Sequence, residues 1–115
     1  MNTRVIGSLK EELAISYLEE NGFEILERNF KCKIGEIDVI AKKEKSIRFI
    51  EIKYRKGNVA GGVHYAISQK KLLKIFKVAE YYIMINHLSD LMLSIDALLI
   101  EDEEITYLEN IFGGM

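Results

Sequence analysis

The feature that most constrains this chain is a pair of strand-like segments separated by a charged turn. Residues 36–40 and 47–55 are rich in branched and aromatic side chains, which favour β-structure. The residues between them, 42–46, are mostly charged and suit an exposed hairpin turn. The sequence therefore predicts a β-hairpin whose two strands belong to one sheet.

Charged residues lie inside both predicted strands. Side chains alternate between the two faces of a strand, so Glu36 and Asp38 share one face. Glu51 and Lys53 likewise share a face with the apolar residue Phe49. Burial of an ionised group is costly unless the group is paired or binds a metal. We therefore interpret the hairpin as an acid-rich site that is bridged by a cation.

Length and composition are those of an ordinary globular protein. The chain has 115 residues, of which 49% are hydrophobic and 30% are charged, and it contains no proline and no low-complexity tract. We predict a single domain over residues 1–115. No apolar run reaches the ~18 residues of a membrane-spanning helix, and the start lacks a secretory pattern, so we expect a cytoplasmic protein without a membrane partner. The single cysteine, Cys32, is expected to be a small core or edge residue.

Charge is segregated along the chain, although the net charge is only −2. Residues 28–77 carry fourteen basic and four acidic side chains, whereas residues 78–115 carry eight acidic and no basic ones. A local basic surface is typical of proteins that bind polyanions. Solvated lysines scattered over the surface are the alternative, because segregation in sequence need not become segregation in space.

Residues 8–20 have the pattern of a first helix. Ser8 is a candidate N-cap with Glu11 three residues later, and Asn21 and Gly22 form a candidate stop. Glu11 also lies on the same stripe as the apolar residues three, four and seven positions further on. Glu11 is therefore either a capping residue or an inward-facing carboxylate that completes the acidic site.

A longer helix is predicted over residues 68–86, with Ser68 as its N-cap. Lys70, Lys74 and Lys77 form a stripe at spacings of four and three residues, which can contact either phosphates or water. The separate apolar face of this helix consists of Leu72, Ile75, Phe76, Ala79 and Ile83.

Three further segments complete the predicted order of elements. Residues 23–32 are a candidate first strand, so that the first three strands form an antiparallel meander. Residues 91–100 are almost entirely apolar, which is typical of a strand buried on both faces and reached through a crossover helix. Asp96 interrupts this strand and requires a partner. Residues 105–108 form a last short strand.

Metal-assisted cleavage of a phosphodiester requires carboxylates that bind Mg²⁺ or Mn²⁺ and leave positions for water and a phosphate oxygen. It also benefits from a fixed cation beside the attacking water. Asp38, Glu51 and Glu11 provide the carboxylates of such a set, and Lys53 provides the cation. An ion pair between Glu51 and Lys53 with a purely structural role is the simpler alternative.

The ordered pattern resembles a known family. Asp38 followed by Glu51-Ile52-Lys53 resembles the PD-(D/E)XK nuclease signature, with Ile37 at the position of its proline. The wider pattern resembles the YraN-like family of predicted endonucleases, which is similar to archaeal Holliday junction resolvases. The resemblance is carried by Gly7, Glu11, Ala14, Tyr17, Leu18, Gly22, Phe23, Arg28, Asn29, Gly35 to Asp38, Phe49 to Lys53, Arg55, Lys70, Asp96, Asn110 and Phe112. Lys10 and Ile34 depart from the family pattern without removing a candidate ligand.

The resemblance implies an α/β, restriction-endonuclease-like three-layer fold, with a central mixed β-sheet flanked by α-helices. It implies a metal-dependent endonuclease that hydrolyses phosphodiester bonds of DNA, including branched or damaged DNA. It assigns Mg²⁺ or Mn²⁺ binding to Glu11, Asp38 and Glu51, and the role of catalytic lysine to Lys53.

Further residues are candidates for supporting roles. Glu36 and Arg55 are accessory candidates, and the candidates for nucleic-acid binding are Arg55, Lys70, Lys74 and Lys77. A homodimer would suit a junction substrate with two-fold symmetry. A catalytically silent nucleic-acid-binding protein of the same fold is the alternative function.

Overall fold

A five-stranded mixed sheet forms the centre of the structure. The computed structural model describes residues 3–55 and 67–112, with side chains for residues 9–55 and 67–112. The elements in chain order are α1 (Thr3–Glu20), β1 (Glu24–Lys31), β2 (Glu36–Lys43), β3 (Ser46–Arg55), α2 (Gln69–Ile85), β4 (Met92–Glu101) and β5 (Glu104–Leu108). The strand order is β1-β2-β3-β4-β5, in which β3 and β4 are parallel and all other neighbours are antiparallel.

The two helices cover opposite faces of this sheet. Adjacent residues of β3 illustrate the division, because Phe49 is buried in the cluster under α2 and Ile50 in the cluster under α1. β3 and β4 run parallel, with α2 lying between them in the chain. The predicted three-layer α/β arrangement, the antiparallel meander and the crossover to a buried β4 are therefore confirmed.

The start of α1 differs from the prediction. The helix begins at Thr3, so the assignment of Ser8 as its N-cap, with Glu11 in a capping box, is wrong. Both residues lie inside the helix, where backbone N–H groups are already bonded to preceding carbonyls. The end of α1 is as predicted. Gly22 has a φ of 87°, and the N–H of Phe23 donates to the carbonyl of Leu18 at 3.0 Å.

The start of α2 agrees with the sequence. The Ser68 side chain accepts a hydrogen bond from the backbone N–H of Lys71 at 3.2 Å, as an N-cap should. The buried side chains of α2 are Leu72, Ile75, Val78, Ala79 and Tyr82, so the sheet-facing stripe is rotated slightly from the predicted one. Phe76 and Ile83 are partly buried at its margin.

Asp96 has the partners that its burial requires. Its carboxylate is fully buried and accepts hydrogen bonds from Arg48 Nη1 at 3.1 Å and Ser94 Oγ at 2.6 Å. It also accepts from the backbone N–H of Asn110 at 2.9 Å and from the hydroxyl of Tyr107. Burial, together with the charge of Asp96, raises the pKa of Tyr107, so this hydroxyl remains a donor. The Asp96 network thus joins β3, β4, β5 and the segment after β5.

His64 and the glycine-rich segment 57–62 lie outside the described residues. Within the described part of the chain, neither helix has the length and apolar character needed to cross a bilayer.

Candidate active site

β2 and β3 separate at the open end of the hairpin, away from the turn that joins them. Their pairing runs from Lys43 and Ser46 to Val39 and Ile50, where it stops. The alternation of β2 also breaks there, because Ile37 packs in the cluster under α2 and Val39 in the cluster under α1. The strands therefore leave a gap beside residues 51–53.

The Asp38 carboxylate occupies this gap. Its Oδ2 accepts a hydrogen bond from the backbone N–H of Ile52 at 2.8 Å. The side chain thus satisfies a β3 donor at the point where the ladder with β2 has ended. This contact holds the carboxylate of Asp38 against the segment that carries Glu51 and Lys53.

A cavity of about 620 Å³ opens over the gap, between the turn from β1 to β2, the end of β3 and the first half of α2. Its charged lining residues are Lys31, Glu36, Asp38, Glu51, Lys53, Lys71 and Lys74. The turn packs against α2 at Gly35, where a Cβ would meet Val78 Cγ2 at 3.4 Å, an ordinary van der Waals distance. The φ of Gly35 is not left-handed.

Glu51 is the most deeply buried acid of the cavity. The residue is only 6% exposed, and its Oε2 lies 3.0 Å from the Nζ of Lys71. Lys71 therefore pairs with this oxygen, although the angles of the contact are not those of a regular hydrogen bond. A buried carboxylate oxygen with one poorly aligned donor is incompletely satisfied, and direct coordination to a cation would complete it.

The surroundings of Asp38 favour its protonated form. Burial, a hydrogen bond with the Glu51 side chain and the charge of Glu51 together raise the pKa of Asp38 to about 7. The N–H of Ile52 and the charge of Lys71 oppose this rise without cancelling it. A carboxyl that holds its proton near neutral pH beside another acid is a group at which a divalent cation can replace the proton.

Lys71 is the residue of this site that the sequence analysis missed. Burial alone would lower the pKa of Lys71, but the contact with Glu51 and the charges of Glu51 and Asp38 outweigh it and raise the pKa. The signal in the sequence is its spacing, four residues before Ile75 and seven before Val78, which are both buried. Lys71 therefore lies on the edge of the sheet-facing stripe of α2.

Comparison with known proteins assigns the chain to a family. The family model described as "Uncharacterised protein family UPF0102" matches residues 10–100. The chain belongs to the UPF0102 family. A UPF0102 protein of Fusobacterium nucleatum subsp. nucleatum is 41% identical over 114 residues, which cover 99% of this chain and 96% of that protein.

Two further UPF0102 proteins are similarly close. One from Neisseria meningitidis serogroup C is 42% identical over 108 residues, covering 93% of this chain and 94% of its own. One from Campylobacter lari is 46% identical over 107 residues, covering 93% of each chain. The family description states no activity, so the function of this UPF0102 chain is argued from its site.

The remaining predicted residues of the hairpin lie in or near the cavity. Lys53 lines it, two residues beyond Glu51, but the described ion pair of Glu51 is with Lys71 rather than with Lys53. Glu36 lines the exposed rim, where its Oε2 lies 3.9 Å from Lys31 Nζ. Arg55 is the last residue of β3 and is not among the lining residues.

Glu11 of this UPF0102 chain lies elsewhere. Its Oε1 accepts a hydrogen bond from Asn29 Nδ2 at 3.3 Å, and it does not line the cavity. Among the described residues, no three His, Cys, Asp or Glu side chains are grouped as a metal site. The structure therefore brings Asp38 and Glu51 together without Glu11, whose role as a third ligand stays a prediction.

The lysine stripe of α2 lies beside the cavity. Lys70, Lys74 and Lys77 are all exposed, and Lys74 also lines the cavity. None of the three forms an ion pair with another residue in the described part of the UPF0102 chain. Their ammonium groups are therefore available to an external anion.

Proposed function

We propose that this UPF0102 protein is a metal-dependent endonuclease that hydrolyses phosphodiester bonds of DNA. The observation that carries the proposal is the adjacent pair of Asp38 and the buried Glu51, for which the described residues provide one poorly aligned ammonium contact, from Lys71. Two adjacent acids are rarely held together with so little compensating charge unless they bind a further cation. The surrounding lysines favour an anionic substrate.

The residues present fit a small divalent cation. Mg²⁺ is commonly held by one or two carboxylates, with waters and substrate phosphate oxygens as its other ligands, and Mn²⁺ accepts the same oxygen donors. Asp38 and Glu51 would hold the ion, with Glu11 as the further ligand predicted from the resemblance. When bound, Mg²⁺ or Mn²⁺ supplies Lewis-acid charge to the phosphate and acidifies a bound water.

The protein's own groups position the reactants and stabilise the charge that develops during the reaction. The bond from the Ile52 N–H fixes the orientation of Asp38 before any ligand arrives. Lys53, on the strand that carries Glu51, orients the attacking water and stabilises the negative charge that grows on the phosphate. Lys71 neutralises Glu51 when the cavity holds no cation and adds positive charge on the α2 side.

The substrate would approach from the α2 side of the turn between β1 and β2. The phosphates of DNA would contact the stripe of Lys70, Lys74 and Lys77, which continues from the cavity along α2. Such contacts are independent of sequence and weaken with added salt. Branched or damaged DNA as the preferred substrate, and a homodimer that places two sites on a two-fold symmetric junction, are part of this proposal.

The test is cleavage by purified protein with Mg²⁺ or Mn²⁺, on supercoiled, linear, flapped and four-way DNA. Asp38→Asn, Glu51→Gln and Lys53→Met should each lower the rate by roughly 100-fold or more, because each removes charge from the reacting centre. Glu80→Gln, which changes an exposed acid on α2, is the matched control and should cleave like the wild type.

Circular dichroism and thermal melting show that each variant is folded. A wild-type protein that cleaves none of these substrates with either ion would overturn the proposal. Equal cleavage by wild type and Asp38→Asn would instead indicate a contaminating nuclease.

A catalytically silent nucleic-acid-binding protein is the second candidate. The contact between Lys71 and Glu51 favours it, since an ammonium group can neutralise the carboxylate without a metal. This function predicts salt-sensitive DNA binding that Lys70→Gln and Lys74→Gln weaken and Asp38→Asn leaves unchanged. Cleavage by the wild type that requires Asp38 would exclude it.

A further inference from the structure

A shallow apolar hollow lies on α2 beside the candidate active site. It has a volume of about 340 Å³ and is lined by Ile34, Lys70, Leu73, Lys74 and Lys77. Ile34 is 39% exposed and Leu73 is 44% exposed, so both present apolar surface to solvent. The hollow therefore has an apolar floor with three ammonium groups around it.

The spacing of the α2 residues sets the size of the hollow. Lys70, Leu73, Lys74 and Lys77 stand at positions i, i+3, i+4 and i+7, so they share one helix face. At 1.5 Å per residue, the distance from the first to the last is about 10 Å along the helix axis. That length accommodates a few nucleotides at most, since 3.4 Å is the rise in a duplex and an extended unpaired strand covers more per nucleotide.

An apolar floor among unpaired lysines fits a ligand that has both flat apolar faces and several negative charges. Nucleotides have this combination, but in a duplex the base faces are stacked inside and only phosphates and groove edges are exposed. In an unpaired strand the faces are accessible, and apolar side chains such as Ile and Leu can pack against them. The positive charge of the lysines and the apolar floor of the hollow together favour an unpaired strand over a duplex.

We propose that the hollow binds a few unpaired nucleotides next to the phosphate that is cleaved. Lys74 lines both the hollow and the active-site cavity, and Ile34 directly precedes Gly35 of the cavity. One strand can thus pass from the hollow into the cavity. This inference rests on the proposed function, and it defines the substrate class as DNA with an unpaired segment adjacent to the cleaved bond.

The test is binding without divalent ions, measured by fluorescence anisotropy in EDTA with a labelled oligothymidylate and a labelled duplex hairpin. The double variant Ile34→Ser with Leu73→Gln should weaken oligothymidylate binding by about tenfold, because base packing is lost. Duplex binding should change less than twofold, since the lysines remain. Lys70→Gln with Lys77→Gln should weaken binding of both ligands. Met84→Gln removes an exposed apolar side chain elsewhere on α2 and should change neither.

The outcomes separate this inference from the proposed function. Unchanged oligothymidylate binding by the folded Ile34→Ser, Leu73→Gln variant would overturn the inference, as would an equal loss for both ligands or a preference of the wild type for duplex. A wild type that cleaves nothing but binds oligothymidylate through Ile34 and Leu73 would support the binding role of the hollow and overturn the proposed nuclease function. Metal-dependent cleavage of duplex DNA that is equal in the wild type and the Ile34→Ser, Leu73→Gln variant would support the nuclease function and overturn the role of the hollow.

Discussion

Two buried acidic centres in this protein are built in opposite ways. Asp96 is fully buried and accepts hydrogen bonds from four described groups, including the guanidinium of Arg48. Asp38 and Glu51 are adjacent, and the buried Oε2 of Glu51 has one poorly aligned ammonium contact, from Lys71. The comparison teaches that burial of an acid does not by itself mark a functional site. The number and alignment of the donors around the acid separate the two centres.

Removal of the charge of Asp96 should have the largest effect on the free energy of unfolding. Asp96→Asn replaces an acceptor with a group that donates toward Arg48 and Tyr107, so we expect a loss of about 3–5 kcal/mol of unfolding free energy. Asp38→Asn, the same change at the other centre, should be neutral or stabilising in EDTA. Urea unfolding of both variants measures the difference. Equal destabilisation by the two variants would refute the contrast.

A divalent ion should stabilise the folded protein through Asp38 and Glu51 and not through Asp96. An ion that binds the folded state at about 100 times its Kd adds about 2.7 kcal/mol of stability. We expect Mg²⁺ or Mn²⁺ to raise the melting temperature of the wild type and of the exposed-acid control Glu80→Gln, but not that of Asp38→Asn. Ca²⁺ and matched ionic strength with Na⁺ separate site binding from screening. A rise of the same size in Asp38→Asn would place the ion elsewhere.

The pH dependence of stability should reveal the raised pKa of Asp38. The pKa of Asp38 is about 7 in the folded protein and near 4 when unfolded, so the folded state holds the proton more tightly. This contribution is complete below about pH 4 and is lost as the pH rises to about 7. In EDTA, wild type should therefore lose on the order of 2 kcal/mol relative to Asp38→Asn between about pH 5 and 8. Parallel stability curves for the two proteins would contradict the raised pKa.

The smallest expected effect is the coupling between Lys71 and Glu51. The Lys71 side chain is 45% exposed, so solvent screening limits its ion pair with Glu51 to about 1 kcal/mol or less. A double-mutant cycle with Lys71→Gln and Glu51→Gln measures this energy in EDTA. The corresponding cycle with Arg48→Gln and Asp96→Asn should give a coupling several times larger. A coupling energy that is larger for Lys71 and Glu51 than for Arg48 and Asp96 would contradict the expected difference between the two centres.

The parts of the fold that depend on local patterns were predictable from the sequence. The strand positions of residues 36–40 and 47–55, the N-cap at Ser68 and the stop at Gly22 all depend on neighbours within a few positions. The break in alternation between Ile37 and Val39 was not predicted. The start of α1 was misassigned because Ser8 and Glu11 reproduce the spacing of a capping box inside a continuing helix. Such a local pattern does not indicate whether the helix has already begun at an earlier residue.

The site was predictable only in part, because its geometry comes from contacts between distant segments. The charges within the strands identified Asp38, Glu51 and Lys53 as candidates, and the structure places all three at one cavity. Lys71 was missed because its role depends on how α2 packs over β3, and this packing is not encoded in the spacing of lysines alone. The donors to Asp96 from Tyr107 and Asn110 likewise depend on where β5 turns back.

The end of the ladder between β2 and β3 has a consequence for how the site keeps its shape. Beyond Ile50, the backbone ladder of β3 among the described strands is with β4, in the parallel register that pairs Glu51 with Ala97 and Lys53 with Leu99. On the other side, β3 is held at Ile52 by the Asp38 carboxylate. The positions of Glu51 and Lys53 are therefore set mainly by β4. A shift of β4 would move both side chains relative to Asp38, which β2 carries.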